Sequence, residues 1–514
     1  MQLSVWGLTD FLCARIALVS RGDKVAGIGS KAGALISRAI NEYPVRVAFL
    51  GSLLLSLIAV MGLVTIGRDA AFYMTIAQGV TEQGPKLAFQ SFDWPWFTLL
   101  IAGTHVVLPL SFETIAHLWC AFFLAGTCAL VVDCVCQRTP EAARWACLVV
   151  LAMPAVNQDR DDILREFGFW FFCTLTLWLA LRWQARGGWV LACSIHVAIV
   201  AALFFRLEAV LLWPALMLWQ LSNLWSNKHR KQFLQFSLLP ILGLISAVVV
   251  LSAVGGLSSV RVEAYLGMIN PKNIFASFDL LSQQFANTLI NPFSRSDAGR
   301  IIFFGMMATV IILFVKMMGV FGASFLYRGS WGVLGIYWRQ YRPFAWAAVL
   351  YFVVLMLFFI KQQFMIGRYV SFMNLLFVPA LAMATMVFAR RFPRLGKVVL
   401  VIGLLLLLTN VITTGAKKTQ YIEAGHWVAA NIEPDASVYY EDGRFSYYAG
   451  RGYIFPTKTR EQAMAPEQAS RYRYFLIEAK GDEPWLGEWL AGHDMHIMTR
   501  FANRKGATVL VIGK

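Results

Sequence analysis

The run VAFLGSLLLSLIAVMGLVTI, Val47–Ile66, is twenty residues without a charge, and it leads directly into Gly67-Arg68-Asp69. An uncharged apolar stretch of about 20 residues is what a helix needs to cross ~30 Å of hydrocarbon. On its N-terminal side, residues 1–45 carry basic groups and no long apolar core, which reads as an amphipathic cytoplasmic region and not a cleavable signal. On its other side a polar stretch runs to Asp93. Thr98–Phe112 then follows, apolar but short and containing Pro109, which suits a helix lying at the interface.

The whole chain agrees with that opening. Of 514 residues, 58% are apolar and 14% charged, against about 25% charged in an average soluble protein. Mean hydropathy is +0.60. A soluble fold has no room to hide so much apolar surface, and the same numbers exclude disorder, coiled coils and disulfide scaffolds. Further spans read as Thr114–Val132, Trp145–Gln158, Phe167–Leu181, Gly188–Phe205, Ala209–Trp225, Phe233–Val254, Ile301–Met318, Phe344–Ile360, Tyr369–Ala389 and Val398–Thr414. Residues 255–300 read as a long, mildly polar loop. The count is about eleven transmembrane helices plus interfacial helices.

The formal charge of +16 does not point to nucleic acid. From Lys417 onward 13 basic and 12 acidic residues nearly cancel, and the excess sits in short loops of the apolar part. Arg138/Arg144, Arg182/Arg186, Lys228/Arg230/Lys231, Arg339/Arg342 and Arg390/Arg391/Arg394/Lys397 all fall on one side, as cytoplasmic loops do. The N-terminus is then cytoplasmic and the tail lies outside. The chain divides into 1–45, a membrane domain 46–416, and a tail 417–514 with a helix at Tyr421–Ile432. Strands read as Ser437–Tyr440, Tyr474–Ile477 and Thr508–Ile512, with turns at Asp442-Gly443 and Gly481-Asp482. The fold class is a polytopic α-helical membrane protein with a small C-terminal periplasmic α/β domain.

Charges are nearly absent from mid-span positions and gather at the outer ends of spans. Asp69 follows the first span; Asp159, Asp161, Asp162, Arg165 and Glu166 fill the second outer loop; Arg206 and Glu208 the third; Lys361, Arg368 and Tyr369 border the fifth. A mouth holding both carboxylates and cations suits a reaction at the membrane surface on a lipid with an anionic head group.

This order of features resembles the GT-C glycosyltransferases, in particular the superfamily of protein-O-mannosyltransferases and lipid A aminoarabinose transferases. The likeness rests on four places. These are Asp69 with Tyr73 after the first span; the proline-containing segment Asp93-Trp94-Pro95-Trp96-Phe97-Thr98; an acid before the fourth span among Asp161, Asp162 and Glu166; and Arg368-Tyr369 opening a late span ahead of the tail. The family often has Asp-Glu at the first acid, where Ala70 follows Asp69 here. It also often has a lysine before the interfacial prolines, where this chain has Asp93-Trp94-Pro95, so Lys86, Arg206 and Arg368 become candidates for the donor phosphate.

The resemblance implies a membrane glycosyltransferase that moves a sugar from a polyprenyl-phosphate donor to a periplasmic acceptor (lipid, glycan or protein) in the bacterial inner membrane. Asp69 is then the expected base, which a positioned carboxylate can supply at a gain of about 10²–10⁴. Glu166 or Asp162 is the second acid, and Arg206, Arg368, Arg165, Lys86, Tyr73, Tyr369 and Glu208 bind donor phosphate or substrate. A divalent cation, Mg or Mn, is a possible addition, although no histidine cluster or close carboxylate pair demands one. An O-antigen ligase or polymerase stays open through Arg261, Glu263 and Arg295 in 255–300. A lipid-linked-sugar transporter predicts paired halves and mid-bilayer charges, which are not evident, and a scaffold has no need of acids at two separate mouths. All eight cysteines lie between Cys13 and Cys193 without metal or redox spacing, so buried free thiols are expected.

Overall fold

The computed structural model describes residues 38–225, 230–253, 267, 270–412, 417–479 and 483–514. Most of the expected N-terminal region, Arg261 and Glu263, and the Gly481-Asp482 turn lie outside the described residues.

The first span is the helix Pro44–Met61, with the proline in its first turn, where its missing N–H costs nothing and its φ is already helical. Ala48, Ser52, Leu55, Ser56 and Ala59 are its buried residues, recurring at helical spacing. Most are small, which lets the helix pack closely on Phe112–Arg138. On the opposite face Leu50, Leu54, Leu57 and Met61 are 57–62% exposed. Small residues inward and large apolar residues outward is how helices associate in lipid. The helix stops short of the expected Ile66 because the next residues serve another purpose: the Ile66 N–H donates to the Tyr448 hydroxyl of the tail at 2.9 Å.

The other expected spans also fall on helices. Among the described residues, five helices are long and apolar enough to cross a membrane: Pro44–Met61, Phe112–Arg138, Ala298–Met317, Arg342–Gln362 and Gly367–Arg391. The last is the spine of the bundle. Of its most apolar stretch 83% is buried, and it packs on Ala143–Ala152, Ala298–Met317, Arg342–Gln362 and Pro393–Val411.

Three expectations need correction. The segment 145–158 breaks into Ala143–Ala152 and Pro154–Asn157, since Pro154 cannot continue a helix. The 255–300 loop contains an 18-residue helix, Pro271–Thr288, capped by the Asn270 side chain on the Lys272 N–H. Asp442-Gly443, expected as a turn between strands, opens a helix instead. Asp442 accepts from the Arg444 N–H and caps the helix Gly443–Tyr448.

The tail folds around a four-stranded sheet of order β1-β2-β4-β3. The strands are β1 (Val438–Tyr440), β2 (Tyr474–Ala479), β3 (His496–Ala502) and β4 (Thr508–Gly513). β1 runs parallel to β2, and the remaining pairings are antiparallel. Side chains on a strand alternate in face. Leu476, Val509 and Val511 therefore pack with the helix Thr419–Asn431 through Tyr421, Ala424 and Val428. Phe475, Ile477 and Leu510 face the helix Pro484–His493 through Leu486.

The tail sits on the bundle through specific contacts. Arg68 Nε donates to Asp442 Oδ2 at 2.7 Å. The Tyr447 hydroxyl donates to Glu113 at 2.7 Å. The Tyr453 N–H reaches Thr75 Oγ1 at 2.9 Å.

Candidate active site

The acids and cations picked out along the sequence converge at the end of the bundle beneath the tail, each placed by the end of a helix. Asp69 is the second residue of Arg68–Gln83, Glu166 the first of Glu166–Arg186 and Arg368 the second of Gly367–Arg391. Arg206 immediately follows Trp189–Phe205. Gly168 explains how two of them meet: a Cβ there would lie 2.2 Å from the Phe205 ring. With only a hydrogen, the helices close until Glu166 faces Arg206.

Arg206 is held by two carboxylates. It donates to Glu166 at 2.9 Å and grips Glu208 with contacts of 2.5–3.2 Å. These three side chains are only 8–12% exposed. The cluster continues through Arg368, whose Nε is 3.6 Å from Glu166 and whose terminal nitrogen donates to Asp69 at 3.2 Å. The Asp69 side chain is 48% exposed. The Tyr369 ring lies 5.7 Å from the Arg206 guanidinium and 5.9 Å from that of Arg368, within cation–π range.

Tyr73, one turn beyond Asp69, is buried, and that burial pushes its phenol well above the ordinary value. Arg165 lies over the Phe92 ring at 5.4 Å. One of its terminal N–H groups is sealed from solvent without a hydrogen-bond partner, as is Arg368 Nε.

Asp162 enters from the loop before Glu166. Its Oδ1 accepts from the Ile163 N–H at 3.0 Å, and a Cβ on Gly67 would lie 2.5 Å from that oxygen. Glycine is therefore required at position 67 for this approach. Burial above all, with the charge of Asp69 adding to it, pushes the Asp162 carboxyl up to about 7. Burial also raises Asp159, against the hydrogen bond it accepts from Gln158.

A cavity of about 410 Å³ joins this cluster to the tail. Asp69, Asp162, Arg368 and Arg68 line its bundle side; Lys418, Tyr421, Arg444 and Glu478 line its tail side. Arg444 donates to both oxygens of Asp442, at 3.0 and 2.8 Å. Burial alone would raise the Asp442 carboxyl, but the Arg444 and Arg68 hydrogen bonds hold it below the ordinary value.

Of the expected residues, Asp69, Asp162, Arg165, Glu166, Arg206, Glu208, Arg368, Tyr369 and Tyr73 are brought together. Lys86 is not: it opens the short helix Lys86–Ser91 and is exposed. Arg295 is also apart, donating to the Leu289 carbonyl at 3.1 Å.

The tail's share of the wall went unread in the sequence. A signal was present in Lys417-Lys418, a cation pair on the side where basic residues are not expected. Arg160 was missed as well. It is 2% exposed and reaches into the first helix, donating to the Ser52 carbonyl and to the Ser52 and Ser56 hydroxyls at 2.7–2.9 Å. Its other nitrogens bond Asn157 Oδ1 at 3.1 and 2.8 Å. This arginine fixes the Asp162 loop against the helix that leads to Asp69.

Among the described residues no three His, Cys, Asp or Glu side chains are grouped to hold a divalent cation, and Asp69 is already paired with Arg368.

The fold, a helical bundle with a small α/β domain over one end, is shared with solved membrane proteins of the GT-C type. Two structures of ArnT from Cupriavidus metallidurans, a lipid A aminoarabinose transferase, share it over 90% of this chain and 97% of theirs at 13% identity. TM-scores are 0.55 for the apo state and 0.56 for the form bound to undecaprenyl phosphate. The apo oligosaccharyltransferase of Archaeoglobus fulgidus matches 85% of this chain and 70% of its own, at 11% identity and a TM-score of 0.55. What is shared at these identities is the fold, so the expected GT-C architecture is borne out. No family model and no curated protein sequence matches the chain.

Proposed function

We propose that the protein is a glycosyltransferase that moves a sugar from a polyprenyl-phosphate donor to a hydroxyl-bearing acceptor at the periplasmic face of a bacterial inner membrane. The observation that carries this reading is the cavity where Asp69 and Asp162 stand beside Arg368 at the mouth of the bundle. A donor whose tail stays in lipid needs a site open to the membrane edge, and its acceptor needs one open to water. The undecaprenyl phosphate bound to ArnT, on the same fold, supports a lipid-phosphate donor.

In this reading the acceptor O–H gives its proton to Asp69 as its oxygen attacks the anomeric carbon. The bond from that carbon to the phosphate oxygen breaks, and the electron pair leaves with the polyprenyl phosphate. The partly exposed Arg368 guanidinium, with Arg165 beside it, takes the phosphate oxygens, where low dielectric strengthens the pairing. Arg206 has its donors committed to Glu166 and Glu208, and its task is to hold Glu166 beside Arg368. Asp162, its carboxyl pushed up to about 7 by burial and by the Asp69 charge, stands as the second acid in the same cavity.

The test is to supply membranes containing the protein with a polyprenyl phosphate carrying a radiolabelled sugar. Label moving from the lipid fraction to a new acceptor supports the proposal. Label that crosses the bilayer while still lipid-linked would replace it with a transporter.

A further inference from the structure

Besides the cavity at Asp69, the tail holds a larger cleft, about 620 Å³, of a size that takes several sugar units. It lies at the C-terminal end of the parallel pair β1 and β2, lined there by Tyr439, Glu441 and Glu478. Glu441 directly follows β1 and its N–H donates to the Leu476 carbonyl at 3.0 Å. Its carboxylate accepts from the Glu478 N–H at 2.6 Å and from Arg460 Nε at 2.9 Å. Arg460 in turn donates to Glu483 at 3.1 Å. The Thr459–Gln462 capping box fixes the start of the short helix that carries Arg460. The polar groups of this wall are therefore oriented before anything binds, which lowers the entropic cost of binding.

Two observations connect the cleft to the reaction. Arg68 and Glu478 line both the cleft and the Asp69 cavity, so the two spaces meet at those side chains. Among the described residues, the cleft walls also carry three cations against four carboxylates. A polyanion meets no net attraction there, and the polar walls give acyl chains nothing to bury against.

We infer that the tail cleft is the acceptor subsite, taking the outer units of an uncharged polyhydroxylated glycan whose reactive hydroxyl extends past Arg68 and Glu478 to Asp69. This deepens the transferase reading and rests on it. Arg460, Glu441 and Glu483 hold one another in place while staying 17–24% exposed, and the lone pairs left on the two carboxylates accept from sugar hydroxyls.

The experiment uses the full-length protein in nanodiscs and two binding arms. One titrates maltohexaose and chitohexaose as neutral probes, with a heparin-derived hexasaccharide as the anionic contrast. The other titrates undecaprenyl phosphate. Thr457→Trp fills the cleft from an exposed position that makes none of the hydrogen bonds described, and Arg460→Gln removes the central cation. The neutral probes are expected to bind wild type and to weaken about tenfold or more in both variants, with undecaprenyl phosphate binding unchanged.

Wild type that binds undecaprenyl phosphate but neither neutral probe overturns the inference and leaves the transferase reading standing. So does neutral binding that Thr457→Trp does not alter, or a preference for the anionic probe. Wild type that binds the glycans but not undecaprenyl phosphate keeps the cleft and breaks the donor reading instead.

Discussion

The charge cluster has a closed half and an open half. In the closed half, Glu166, Arg206 and Glu208 are 8–12% exposed and their donors and acceptors are matched. In the open half, Asp69 is 48% and Arg368 23% exposed, and the bond between them is longer at 3.2 Å. Asp162 there is pushed up to about 7. A group whose bonding capacity is spent holds structure, and one with capacity left over can meet a ligand. In the proposed reading the closed half is scaffold and the open half meets the substrate.

The largest stability effect expected is for Arg206→Ala. It strands two buried carboxylates, and breaking a buried pair in this way costs about 3–5 kcal/mol, visible as a large fall in Tm in detergent or as lost yield. Arg368→Gln should separate the halves: sugar transfer falls about 100-fold, while Tm moves much less than for Arg206→Ala. Equal destabilisation by the two variants would break the comparison.

Arg160→Lys tests the brace between the two acid-bearing segments. A lysine cannot reach both Asn157 and the two serines, so about 1–3 kcal/mol of stability is lost through groups left unpaired, read by chemical denaturation.

The smallest effect is a pH dependence. A carboxyl whose folded-state pKa is raised adds stability at low pH that is lost as pH rises through that value. For Asp162 the loss runs from about pH 4 to beyond 7. Asp162→Asn should remove this contribution, measured as a flatter Tm-against-pH curve over that window. An unchanged curve would show that the carboxyl is not titrating there.

Much of the closed half was legible in the sequence, because charges are rare in this chain and those at span ends stand out. Glu166, Arg206 and Glu208 could be named, and the local pairing of Arg206 with Glu208 could be read, but not that Glu166 joins them, since the packing of Gly168 on Phe205 is a long-range event. The open half was legible only on its bundle side. Its tail side depends on how 417–479 docks, through Asp442 on Arg68 and Tyr448 on Ile66, and nothing local in those residues announces a partner hundreds of positions away. Strand β3 was missed because its residues alternate between exposed and half-buried at a sheet edge. The helix Pro271–Thr288 was missed because it buries no residue and has no long apolar run. Spans were easy to read for the opposite reason, since lipid imposes the same demand at every position.

The central claim is that Asp69 takes the acceptor proton in the open half. Transfer of labelled sugar from polyprenyl phosphate should be compared between wild type and Asp69→Asn at matched expression, with undecaprenyl phosphate binding measured on the same samples. The account predicts transfer reduced by about 10²-fold or more with binding retained. Equal transfer in the two proteins would contradict it and leave Asp69 as no more than the partner of Arg368.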